Sequence, residues 1–185
     1  MERTRVQKLA YVLKILVTIT FVCNLIALIM VPGLVHIGLQ QGLAVWLDYD
    51  IDDTLHMLFL GGWSLWGFNG PYADVLSGFL LFCGACMAVI LWQGRRVLNT
   101  ILKATPFCTE NSVTLRRAGI CCFLISAAAL VRVIWRLCYD QSIAPLFSYN
   151  ALFVPLFFLG GLLCLVMSAL FRQAAEMKAE NDLTI

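Results

Sequence analysis

Charge is scarce in this 185-residue chain: Asp, Glu, Lys and Arg make up 13% of it, against roughly a quarter in an ordinary soluble domain. So thin a polar shell cannot cover a water-facing globule of this size. A net charge of +2 leaves no basic field to hold nucleic acid. Histidine is confined to His36 and His56, so no opposed pair of axial ligands for haem falls within an apolar span. The chain has no P-loop, nucleophile elbow, zinc-protease helix or Cys-x-x-Cys-His sequence, and the expectation is a non-enzymatic protein without a cofactor. Hydrophobic residues fill the space that charge leaves, at 61% of the total with a mean hydropathy of +0.86. Lipid is the solvent that accommodates such a surplus.

Four runs are long enough to cross a hydrocarbon core of about 30 Å. The first covers residues 9–31, after which Pro32 and Gly33 are expected to end the helix. The second, 75–92, carries no charge. The third, 118–139, holds Arg132 and Arg136 in its second half, and the fourth, 151–171, is uncharged with Pro155 in its first turns. A tail, 172–185, follows. Leu55–Phe68 is also apolar, but its 14 residues with Gly61, Gly62 and Gly67 are too short and glycine-rich to span. It reads as an interfacial or re-entrant segment, with Trp63 and Trp66 suited to the headgroup level. The basic N-terminal flank could open a signal peptide, but the apolar run is too long and lacks a small-x-small cleavage site, so it is expected to be retained.

The few charges are sorted. Eleven of the thirteen basic residues flank the N-terminus, the connection between the second and third spans, and the tail, whereas residues 32–74 and 140–150 contain no Lys or Arg. The positive-inside rule then places both termini in the cytoplasm. The fold class expected is an all-α integral membrane four-helix bundle, a single transmembrane domain, with a long outer loop holding the short interfacial segment. Lipid provides no hydrophobic drive between helices, so contact should come from small residues one turn apart: Gly84 and Ala88; Ala118, Cys122 and Ser126; Gly160, Cys164 and Ser168. No internal repeat suggests an inverted-repeat transporter.

The connection between the second and third spans reads Pro106-Phe107-Cys108-Thr109-Glu110-Asn111, then Leu115-Arg116-Arg117-Ala118-Gly119, and the chain closes on Asp182-Leu183-Thr184-Ile185. This combination resembles the bacterial membrane-protein family known as domain of unknown function 2975, with its Pro-Phe-x-x-Glu-Asn segment, Leu-Arg-Arg-x-Gly run and Asp-Leu-Thr-Ile ending. The resemblance implies four transmembrane helices in a bacterial cytoplasmic membrane and carries over no activity, cofactor or catalytic residue. Members are often encoded beside a small helix-turn-helix regulator, which implies a regulatory setting.

Read physically, the same residues form a helix start. Pro106 cannot continue a helix and pushes Thr105 to an extended conformation, Thr109 is placed to cap, and Glu110 suits the helix dipole. Arg116 and Arg117 reach the headgroups, where anionic lipid is worth about 1 kcal/mol per charge. The sharper reading makes Pro106, Phe107, Glu110, Asn111, Arg116 and Arg117, with Asp182 of the tail, a cytoplasmic docking motif. In it Phe107, Asn111 and the arginines would hold the acidic tail, Glu180 and Asp182, or a partner: another membrane or regulatory protein, or a second copy of the chain.

Arg132 is the other singular residue, about 21 Å along the third span from Ala118. With Arg136 one turn on, it is expected to seek the carboxylates of Asp48, Asp50, Asp52, Asp53, Asp74 and Asp140. Together with Asn24 the two arginines form a candidate intramembrane polar site. The run Asp48–Asp53 fails the helix-loop-helix calcium pattern, since Asp53 stands at position six and Phe59 at position twelve. Cys83-x-x-Cys86 has a redox spacing but lies about 13 Å into the second span; Cys23, Cys121, Cys122 and Cys164 also lie in spans and read as small apolar residues, and with Cys138 near the outer face and Cys108 near the inner one no structural disulfide is expected. Two functional classes follow: an accessory or regulatory membrane subunit acting through the cytoplasmic connection and tail, or ligand or ion sensing and transport around Arg132 and the acidic outer loop.

Overall fold

A computed structural model describes residues 5–40, 51–68, 70–103 and 108–183. Among these there is no strand. The order is α1 (Arg5–Gln40), α2 (Ile51–His56), a π-helical turn (Met57–Gly61), α3 (Gly62–Ser64), α4 (Pro71–Leu102), α5 (Thr109–Asp140), a 3-10 turn (Ala144–Phe147) and α6 (Tyr149–Leu183). Four of the helices contain apolar stretches long enough to cross a membrane, within Gln7–Leu39, Pro71–Leu102, Thr109–Asp140 and Asn150–Asn181, in keeping with a helical bundle. Each outruns its apolar run, because residues such as Gln93, Arg95 and Arg96 are good helix formers that carry the backbone on beyond the hydrocarbon.

The chain divides into two compact units: Met1–Val22 with Cys86–Ile185, and Cys23–Ala85.

In the smaller unit, the expected break at Pro32 does not occur; α1 runs through it to Gln40. A proline inside a helix deprives the carbonyl four residues back of its donor, and nearby side chains can re-satisfy the disturbed backbone. Here the indole Nε1 of Trp63 donates to the carbonyl of Ile29 at 2.8 Å, one residue from that position. Gly33 lies against the backbone of Leu58 and Gly62, leaving no room for a side chain at either glycine. The glycines that made Leu55–Phe68 look unfit to span thus let this segment, helical through most of its length, lie directly on α1. Pro32, Gly33, Leu58, Gly61 and Gly62 are all buried. Gly67, at φ +95°, then turns the chain, and its N–H donates to Asp74 Oδ1 at 3.0 Å in the first turn of α4.

In the larger unit, α5 is the inner helix. Within its most apolar stretch 44% of residues are buried, against 6–11% in the other three. A short connection containing the 3-10 turn, with Gln141 in the left-handed region at φ 47°, returns the chain so that α6 packs antiparallel along α5. Thr18 and Thr20 of α1 return their hydroxyls to the carbonyls of Lys14 and Leu16, at 2.7 and 2.9 Å. Those hydroxyls therefore supply no glue between helices.

Candidate functional site

Contacts between α5 and α6 recur every seven residues on both helices. Ser168 Oγ donates to the Ser112 carbonyl at 2.7 Å, which leaves the Ser112 hydroxyl to donate to Ser168 Oγ at 3.1 Å. Seven residues on, Gly119 meets Gly161; a Cβ on either would lie 3.2 Å from the other's carbonyl oxygen. A further seven on, Ser126 Oγ donates to the Val154 carbonyl at 2.8 Å. Phe123 and Phe158 cross edge to face at 5.6 Å. A seven-residue period keeps one seam in register along a left-handed pair of helices. The expected face Ala118, Cys122 and Ser126 is buried. Gly160, by contrast, has nothing within 4 Å of its would-be side chain, and Gly161 makes the close approach instead. Four-residue spacing identifies a helix face but drifts around it, so it selected the wrong glycine of the pair.

The seam ends at Arg132, a residue only 8% exposed, whose guanidinium donates to Asn150 Oδ1 at 3.4 Å. Arg136 pairs with Asp140 at 3.2 Å, the one member of the expected carboxylate set that ion-pairs with it among the described residues. Asp74 instead accepts the Gly67 N–H, Asp52 and Asp53 lie exposed in the first turn of α2, and Asp48 and Asp50 fall outside the described residues. Asn24 belongs to the smaller unit, where its Oδ1 is buried and accepts no hydrogen bond among the described residues. No three His, Cys, Asp or Glu side chains among those residues are grouped to hold a metal ion.

At the other end of α5, the expected docking motif separates into two parts. Glu110 pairs with Arg96 of α4 at 2.6 Å, and Asn111, at 1% exposure, donates from Nδ2 to Thr100 Oγ1 at 2.6 Å. These two residues close the α4–α5 hairpin. Arg116 and Arg117 are exposed. Pro106 and Phe107 lie outside the described residues, and of Asp182 only its place in the last turn of α6 is described. The helix starts at Thr109, with Cys108 rather than Thr109 at the capping position and no side-chain cap bond from it. Nearby on α4, the Arg95 guanidinium lies 5.7 Å from the Trp92 ring and 5.9 Å from that of Phe21, a cation–π arrangement at the edge of the apolar region.

Arg96, Thr109, Glu110, Val113, Thr114 and Arg117 line a notch of about 380 Å³ in the surface of this hairpin. Arg96, Thr100 and Thr114 were not singled out in the sequence. Their only signal was position: Arg96 and Thr100 are one turn apart on α4, the helix that Glu110 and Asn111 face.

A model of a family described as "Protein of unknown function (DUF2975)" matches residues 5–185. The chain belongs to the DUF2975 family. No curated protein and no solved structure matches it. The DUF2975 match runs from the first residue of α1 through the tail, so the hairpin, the seam and the segment on α1 all lie within the family region. The family description assigns no chemistry; the four helices long and apolar enough to cross a membrane are read from this chain itself.

Proposed function

We propose that this DUF2975 protein is a non-catalytic accessory or regulatory subunit of a bacterial cytoplasmic membrane, acting through the end that carries the α4–α5 connection and the tail, with both termini in the cytoplasm. The observation that supports this reading is the length of α6. The helix continues past its apolar stretch to Leu183, and Arg172, Gln173, Glu176, Met177, Lys178, Ala179, Glu180 and Asn181 are all exposed. A polar helix of this kind is stabilised by pairs along its own surface, such as Arg172–Glu176 at 2.9 Å, and its exposed side chains offer a face to a second surface. A photo-crosslinking residue at Gln173 or Lys178 should give one discrete protein adduct, while the same probe at lipid-facing Val131 gives none. An adduct to a second copy identifies a homo-oligomer. Equal labelling from all three positions, or none from the tail, removes the proposal.

A second reading, ligand or ion sensing through the outer side, draws on the burial of Arg132, since a charge held in a membrane span is costly and is usually retained for use. Arg132→Leu should insert normally and lose a ligand-dependent response. Misassembly of that variant, repaired by Arg132→Lys, would make the residue structural.

A further inference from the structure

The notch at the start of α5 has the makings of an anion site. Two arginines from different helices, Arg96 and Arg117, line it with Thr109 and with Thr114, whose hydroxyl is spent on the Glu110 carbonyl at 2.8 Å. Arg96 is held by Glu110 at 2.6 Å, which fixes one face of its guanidinium and leaves further donors of its planar fork to bind elsewhere. Arg117 ion-pairs with no carboxylate among the described residues. Thr109 and Glu110 of the first turn of α5 lie on its rim, where the positive end of a 32-residue helix adds a favourable partial charge. Glu110 is the opposing charge. Neutralised against Arg96, it leaves the lining with a net charge of +1 from Arg117 together with the helix dipole. Val113, 49% exposed, adds one apolar wall. The exposed Trp92, one turn before Arg96 on α4, marks the boundary between acyl chains and headgroups.

We propose that this notch binds a phosphate group, with Arg117 and Arg96 as its charged donors and the Thr109 hydroxyl as its neutral one. An anionic phospholipid headgroup and free inorganic phosphate share this chemistry. The site rests on the notch itself, whether or not a protein docks on the tail.

The test is thermal unfolding of the full chain in a neutral detergent with phosphatidylglycerol, phosphatidylcholine or inorganic phosphate added. Phosphatidylglycerol or phosphate at saturation should raise the midpoint by about 5 °C, and phosphatidylcholine should not. A response to phosphatidylglycerol alone assigns a lipid site, and a response to both assigns the phosphate group itself. Arg117→Gln should abolish the shift. Arg116→Gln, which removes the same charge from a neighbouring residue outside the notch, should keep most of it. Val113→Trp, which fills the notch and retains every charge, should also abolish it, so the test survives if Arg117→Gln fails to fold. Equal losses for Arg116→Gln and Arg117→Gln would reduce the effect to general surface charge and overturn the site. Equal stabilisation by phosphatidylcholine, or a full response in Val113→Trp, would overturn it as well.

Discussion

The hydroxyl of Ser168 donates to the backbone carbonyl of Ser112 across 56 residues of sequence, at 2.7 Å and with both side chains buried. This bond anchors one end of a seam that holds α5 and α6 together through small residues and polar bridges.

Replacing Ser168 with Ala removes both bonds of the serine pair, and replacing Ser126 with Ala removes the bond to Val154. Interhelical hydrogen bonds of this kind are worth about 0.6 kcal/mol on average in membranes, with a ceiling near 1.7. Ser168→Ala should fall in the upper half of that range and Ser126→Ala near the average, measured by reversible unfolding in mixed micelles. A larger loss at Ser126 than at Ser168 would contradict the assignment of the serine pair as the stronger anchor.

The two adjacent glycines of α6 should behave oppositely. A side chain at Gly161 starts 3.0 Å from the Phe123 ring and 3.2 Å from the Gly119 carbonyl, whereas one at Gly160 meets nothing within 4 Å. Gly161→Leu should cost about 1–3 kcal/mol as the helices are forced apart, and Gly160→Leu should be within about 0.5 kcal/mol of the parent. Similar unfolding midpoints for the two would place the seam elsewhere.

On the α4–α5 hairpin, hydrogen bonding should outweigh charge. The Arg96–Glu110 pair is short, but its side chains are 41% and 61% exposed, and such pairs are worth about 0–1 kcal/mol. Glu110→Gln should therefore cost less than about 0.5 kcal/mol and should become indistinguishable from the parent in high salt. Asn111→Ala empties a site of 1% exposure and leaves Thr100 without its donor, which should cost about 1–3 kcal/mol. The reverse order would mean that the ion pair holds the hairpin.

In the smaller unit, Gly62→Ala puts a methyl group into the backbone of Gly33, and the segment from Ile51 to Ser64 should lift from α1. Hydrogen exchange should rise in that segment and stay unchanged along α5 and α6. Trp63→Phe, which removes only the donor to Ile29, should produce a smaller rise in the same place, while Trp66→Phe should produce none at Ile29. Uniform exchange across the chain would show global destabilisation instead.

The apolar runs made the four crossings legible because a hydrocarbon core demands a minimum length of uncharged helix, and all four expected runs fall inside α1, α4, α5 and α6. Pro32 misled because the penalty for proline is local and depends on what lies beside it. The Trp63 indole that bonds to Ile29 is 34 residues away in sequence, and no local pattern records that proximity. Glu110 and Asn111 were singled out in the sequence as part of a docking motif, and the structure turns them to α4. Whether polar residues at a helix start face a partner or the preceding helix is decided by how the chain reverses, and here Arg96 and Thr100 take them up. The choice between Gly160 and Gly161 turned on a period of four or of seven, a distinction visible only when both helices are considered together.

The unbroken course of α6 has a mechanical consequence. From Arg172 to Leu183 the polar end extends about 18 Å at the rise of an α-helix, and no turn or glycine interrupts it on the way from the Gly161 crossing. Anything that grips this end holds a stiff lever with its fulcrum at the glycines. Sideways force on the tail is then felt first as leverage on the Ser112–Ser168 clasp, which sits between the handle and the pivot.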